Sequence, residues 1–178
     1  MKFLLISLAG LLGTGWQAQA QAMGPTLPAA DKAAIEATLG AFGKNLNDHK
    51  FSEMPTYTTP DLSFVNVVGM YWEGAADVQR AHQAVFDRLY KGVAIPPTDP
   101  SRMTFRAITP DVVLVTTRAA APVRTDGPPP AGAPPANPQS VFTALLVKRQ
   151  GRWLLTAGQN TPVDARAAAA NPIKTTAR

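Results

Sequence analysis

These 178 residues contain no cysteine, only two histidines, and no apolar run approaching the ~20 residues of a membrane-spanning helix. Each absence excludes something. Without cysteine there is no disulfide framework, no thiol nucleophile and no lipid attachment through an N-terminal cysteine, so the fold must be held by its core. Two isolated histidines, with no His/His or His/carboxylate spacing, give no metal site, since zinc or iron would have to be assembled from scattered carboxylates. No glycine-rich loop follows a strand, which argues against a tightly held nucleotide or flavin, and there is no G-x-S-x-G elbow. No cofactor is therefore expected. Charge is sparse at 16% of residues, and the net +5 comes from scattered Lys and Arg with no aromatic interleaving. No nucleic-acid partner is expected from such a surface.

What is present begins with an export pattern. Lys2 supplies a positive start, Phe3 to Leu12 an apolar segment, and Ala18-Gln19-Ala20 and Ala20-Gln21-Ala22 two overlapping A-x-A cleavage sites. These predict a signal peptide over residues 1–22 and a mature protein in the periplasm or secreted, with no membrane association after cleavage. Roughly 156 residues remain, one domain's worth, and a hydrophobic content of 46% suits a packed core.

After a lead-in over 23–30, Asp31 reads as an N-cap, and Ile35, Leu39, Phe42 and Leu46 form one apolar stripe on a helix from about Lys32 to Asp48. Phe51, Met54 and Tyr57 suggest a short second helix. Leu62 to Val68 reads as a strand, Gly69 breaks it, and Met70-Tyr71-Trp72 is the return arm of a hairpin. Helical periodicity returns over Ala75 to Tyr90, where Val78, Ala81, His82, Val85, Phe86 and Leu89 share a face. Four strand-like runs follow: Arg102 to Ile108, Val112 to Val123, Val141 to Arg149 and Arg152 to Thr161, the last two joined by a hairpin turn at Gln150-Gly151. Between them, 124–139 is a Pro-rich stretch expected as a projecting loop. The domain spans 31–162, and the Ala-rich tail over 163–178 is expected to be largely disordered. The order is that of an α+β fold, a curved antiparallel sheet wrapped around a long helix and open at one end as a cone.

Four segments carry a family resemblance: Asp61 to Gly69, Gly74 to Val78 with Ala81-His82, Pro110 to Val115, and Gly151 to Leu155 with Gln159 to Pro162. In this order and spacing they resemble the NTF2-like superfamily, its SnoaL-like branch, and there the SgcJ/EcaC-type group. The resemblance implies a cystatin-like cone with a pocket inside it, and frequent dimerisation through the outer sheet face. It implies no single activity, because the fold hosts isomerases, dehydratases, cyclases and non-catalytic binders. The chain departs from the group in its Pro-rich loop and in having Asp48-His49 where a Gly-Asp pair is usual.

His82 is the candidate catalytic residue. It lies on an apolar helix face and so points at the sheet, where it can exchange a proton near neutrality, hydrogen-bond a substrate oxygen, or simply be a satisfied core histidine. No carboxylate stands one turn away on its helix. Asn66 shares a strand face with Phe64 and Val68, and Gln159 shares one with Trp153, Leu155 and Ala157, so both are expected to point inward as substrate-binding groups. Trp72 is expected to wall the mouth. His49, beside Asp48 at a helix C-terminus, reads as surface structure. Two functions fit: an exported enzyme of the isomerase, cyclase or dehydratase kind using His82 for proton transfer, or a non-catalytic periplasmic binding or accessory protein. In either case the partner is a small apolar or amphipathic molecule. A homodimer is expected across the outer sheet face, through Leu154, Thr156 and Asn160, because the runs there are apolar on both sides.

Overall fold

The computed structural model describes residues 24–128 and 139–175. The expected signal segment over 1–22 and the centre of the Pro-rich loop lie outside the described residues. Helix α1 (Ala29–Asp48) places Ile35, Leu39 and Phe42 in the core as its stripe predicts, with Leu46 half-buried. It starts two residues before the expected cap. Pro28 occupies the N-cap, and Asp31 sits inside the first turn, where its carboxylate favours the helix dipole. There it accepts hydrogen bonds from Lys148 Nζ (2.8 Å) and Trp153 Nε1 (2.9 Å), tying the helix start to the sheet. These two donors hold its carboxyl below the usual carboxylate range.

The expected second helix is a single 3-10 turn over Met54–Thr56. Strand β1 (Thr58–Val65) begins earlier and ends earlier than the reading of Leu62 to Val68, and β2 (Tyr71–Glu73) returns antiparallel to it. Helix α2 (Ala75–Arg88) follows, burying Ala75, Val78, His82 and Phe86. Then come β3 (Val93–Ala94), β4 (Thr104–Thr109), β5 (Val112–Ala119), β6 (Val123–Arg124), β7 (Ser140–Arg149) and β8 (Arg152–Pro162). The run Val112 to Val123 is thus two strands. Its end leaves the main sheet and pairs with β3 in a separate two-stranded sheet, so the Pro-rich stretch begins as a strand. The tail expected to lack structure carries two short helices, α3 (Ala165–Ala169), capped by Asp164, and α4 (Pro172–Thr175).

The six-stranded sheet has the order β2-β1-β8-β7-β5-β4. All its pairings are antiparallel except β1 with β8, which run parallel. The β7–β8 turn places Gln150 at φ 51° and Gly151 at φ 76°, the left-handed pair that a two-residue hairpin requires. Both long helices pack on one face, where Ile35, Leu39 and Phe42 of α1 and Val78 and Phe86 of α2 meet Val113, Val115, Leu146, Trp153 and Leu155.

One irregularity decides which side chains reach the interior. On β8, Leu155 pairs with Leu146 and Ala157 with Leu145, so Thr156 is an extra residue with no partner on β7. Such a bulge shifts the alternation by one. Before it, Trp153 and Leu155 face inward; after it, Gly158 does. A methyl group at Gly158 would stand 2.6 Å from the Phe64 ring, so the bare backbone there lets that ring lie against the sheet.

Candidate functional site

The space between α1, α2 and the sheet is not filled. A cavity of about 380 Å³ remains, with Phe42, Phe64, His82 and Phe142 at its buried end and Lys44, Asn47, Pro97 and Gln139 at its exposed end. Its middle is apolar, walled by Val85, Phe86, Ile95 and Met103. Helix α1 passes it at Gly40 and Gly43, where no side chain intrudes. The segment carrying Ile95 is held by Asn47, whose carboxamide both donates to the Ile95 carbonyl (2.7 Å) and accepts from its N–H (2.8 Å).

His82 stands at the buried end and is 6% exposed. Five rings enclose it: Phe64 at 4.8 Å between centroids, Phe51 and Trp72 at 5.3 Å, Phe42 at 5.8 Å and Phe86 at 6.5 Å. Its Nδ1 lies 2.8 Å from the carbonyl oxygen of Val78. A carbonyl only accepts, so Nδ1 carries the proton and Nε2 carries a lone pair. Burial pushes the ring's pKa down to about 4, partly opposed by that backbone bond. At neutral pH the imidazole is therefore uncharged and its Nε2 is an acceptor only. That nitrogen has no hydrogen-bond partner among the described residues.

Asn66 also lines the cavity, by a different route from the one its alternation predicts. It lies one residue past β1, in the hairpin turn, not on the strand face. Its Oδ1 accepts from the N–H groups of Val68 (3.0 Å) and Met70 (2.9 Å), a local turn that Asn favours. Trp72 lines the cavity as well, stacked on Phe64 at 15° and edge-on to His82. Among the described residues no three His, Cys, Asp or Glu side chains come together to hold a metal ion.

The SnoaL-like domain model matches residues 35–160, most of the chain. The chain belongs to the SnoaL-like family. Its fold is accordingly that of the NTF2-like superfamily, and solved structures agree. An uncharacterised protein with a cystatin-like fold from Caulobacter vibrioides is 28% identical, with a TM-score of 0.68 over 81% of this chain and 97% of that one. An NTF2-like protein from Novosphingobium aromaticivorans is 16% identical, with a TM-score of 0.58 over 79% and 87%. A proposed dehydratase of the NTF2-like family from Streptomyces avermitilis is 18% identical, with a TM-score of 0.59 over 76% and 98%. No functionally curated protein matches the chain.

In this SnoaL-like domain, then, His82, Asn66 and Trp72 border one cavity and Gln159 does not. Gln159 is exposed on the opposite face, because the bulge at Thr156 reverses the alternation that would have turned it inward. Asn160 takes its place on the lining and accepts a hydrogen bond from Ser140 Oγ (3.1 Å). This also corrects the expectation that Asn160 lies on the outer face. Tyr90, which the α2 stripe would have reached four residues beyond Phe86, stacks on Phe86 at 4.8 Å and lines the cavity, and burial raises its hydroxyl pKa. Ile95 and the residues after it had no signal beyond Pro96-Pro97.

Proposed function

We propose that this SnoaL-like protein binds a small, mainly apolar molecule in its cavity, and that His82 Nε2 accepts a hydrogen bond from it. The observation that carries this reading is one nitrogen of fixed polarity, without a partner among the described residues, at the buried end of an aromatic-lined space. Binding is favoured over catalysis by two features of the same residue. A base whose pKa is about 4 takes a proton weakly at neutral pH. No carboxylate among the described residues is paired with it.

Titration calorimetry on the full chain with 2-naphthol and its methyl ether tests the reading. The wild type is expected to prefer the naphthol by roughly five- to tenfold, the worth of one hydrogen bond. His82→Phe, which keeps a ring and removes the lone pair, is expected to erase the preference. Its stability should change by less than about 1.5 kcal/mol, because Val78 keeps its helical hydrogen bond. An unchanged preference in that variant overturns the assignment.

A second reading, proton transfer of the dehydratase or isomerase kind, is favoured by the fixed tautomer, which presents a lone pair to whatever binds. The likeness to a proposed dehydratase is compatible with it. Exchange of the α-protons of 2-tetralone in D2O, faster with wild type than with His82→Phe, would support it. Equal rates would leave binding alone.

Export to the periplasm or medium and dimerisation belong to the same proposal. The export pattern over 1–22 supports the first, and no described helix is long and apolar enough to cross a membrane. The second is supported by Leu114, Val141, Leu145, Val147 and Leu154, half-buried on the outer face, with buried residues alternating inward on each strand. Light scattering at micromolar concentration should give the mass of a dimer, and a monomer mass contradicts it.

A further inference from the structure

We infer that the cavity selects a neutral molecule of opposite hydrogen-bonding character at its two ends, an O–H or N–H donor toward His82 and a carbonyl acceptor toward Asn66. The inference rests on the proposed binding role of His82 and adds the chemistry of the other end.

Both polarities are locked by backbone groups, so neither can adapt to a ligand. At His82 the Val78 carbonyl takes the only ring proton, leaving Nε2 as an acceptor. At Asn66 the roles are reversed. Its main-chain N–H donates to the Met70 carbonyl (2.9 Å), its own carbonyl accepts from Gly69 N–H (3.0 Å), and its Oδ1 accepts from Val68 and Met70. Turning the carboxamide over would set its NH2 against two N–H donors and strand both. What Asn66 has left for the cavity is therefore Nδ2, a donor with no partner among the described residues.

The parallel pairing of β1 with β8 strengthens this end. Val65, the last residue of β1, stands opposite Gln159, so Asn66 and Asn160 each follow a paired residue and both line the cavity. With Asn160 Oδ1 accepting from Ser140, its NH2 is a second donor at the same end. Two other polar side chains of the lining, Asn47 and Lys44, are occupied. Asn47 spends both carboxamide atoms on Ile95. Lys44, the only Lys or Arg on the lining among the described residues, is paired with Asp48. An end with these N–H donors and no free cation among the described residues suits a carbonyl oxygen better than a carboxylate, whose charge would go uncompensated. Between the ends, Phe86, Val85 and Met103 offer only apolar surface, which fits a flat ring body.

Three probes separate this inference from the reading beneath it: 6-acetyl-2-naphthol, with both groups; 2-naphthol, without the carbonyl; and 6-methoxy-2-acetylnaphthalene, without the donor. Each is titrated calorimetrically into the full chain and into Asn66→Asp, which keeps an oxygen for the Val68 and Met70 N–H groups and removes the NH2. In the wild type the acetyl group should tighten binding over 2-naphthol by roughly five- to tenfold. In Asn66→Asp that gain should vanish, so that 6-acetyl-2-naphthol binds no more tightly than 2-naphthol does to the same variant. No gain in the wild type, or a gain that survives in Asn66→Asp, overturns the inference. If the hydroxyl probe still outbinds its methoxy analogue, the role of His82 stands while the role of Asn66 falls. If the hydroxyl confers no advantage, or none of the probes binds, both fall together.

Discussion

Acidification from pH 7.5 to pH 4 is expected to cost the fold about 3 kcal/mol through His82 alone. Its ring titrates near 6.5 in the unfolded chain and at about 4 in the native one. Between those values the unfolded chain binds a proton that the native state refuses. Stability is therefore full well above pH 6.5 and falls by about 1.4 kcal/mol per pH unit toward 4, levelling off as the native ring itself takes up the proton, which brings the loss to about 3 kcal/mol. The groups packed around the ring are Phe42 of α1, Phe51, Phe64 and Trp72 of the β1–β2 hairpin, and Phe86 of α2. None of them titrates, so burial itself sets the window. The carboxylates of Asp31, Asp48, Asp61 and Asp99 are held below their ordinary value, so the stability they contribute is lost at lower pH still. Urea unfolding at stepped pH, on the wild type and His82→Phe, isolates the histidine as the difference between two curves. A difference that stays flat from pH 7.5 to 4 contradicts the burial of a neutral ring.

Phe64→Ala is expected to be the most damaging single truncation near the cavity, at about 3–5 kcal/mol, or a melting temperature lower by roughly 10 to 20 °C. The ring is 2% exposed. It sits at the junction of both helices and the sheet, 4.8 Å from His82, 5.8 Å from Phe42, 6.2 Å from Phe142 and 6.4 Å from Trp72. It lies over Gly158, where no side chain can move in to fill the gap. Its loss would merge new empty space with the existing cavity and take one neighbour from each of four rings. Tyr71→Ala, seven residues along on the same hairpin and 57% exposed, should cost no more than about 0.5 kcal/mol. Thermal melts of the two variants side by side measure the contrast, and a Phe64→Ala cost below about 1 kcal/mol would mean that this packing is not what the fold rests on.

The parts of this fold that could be read from sequence are those governed by a regular period. The α2 stripe placed His82 toward the sheet, and the Gln150-Gly151 turn fixed the last hairpin. Period alone failed where the backbone departs from it. Thr156 enters as one extra residue that no alternation reveals, and it exchanges Gln159 for Asn160 on the cavity wall. Asn66 reaches the cavity because its side chain builds a turn, a local competition with the strand that Asn is prone to. Asp31 has the chemistry of a cap, yet the helix begins earlier, and its carboxylate serves Lys148 and Trp153, more than a hundred residues away. The wall at Ile95 depends on a pairing between β3 and β6 and on the Asn47 clamp, contacts between segments that carry no pattern of their own.

The most direct test of the central claim is the nitrogen NMR of the His82 imidazole during titration with 2-naphthol. It is made on 15N-labelled full chain carrying His49→Asn, so that a single ring reports. At pH 7 the ring should be neutral and protonated on Nδ1, with the Nε2 resonance moving when 2-naphthol binds and staying put when its methyl ether is added. A charged ring at pH 7, a proton on Nε2, or an Nε2 signal indifferent to bound naphthol would contradict the claim that this nitrogen is the ligand's hydrogen-bond acceptor.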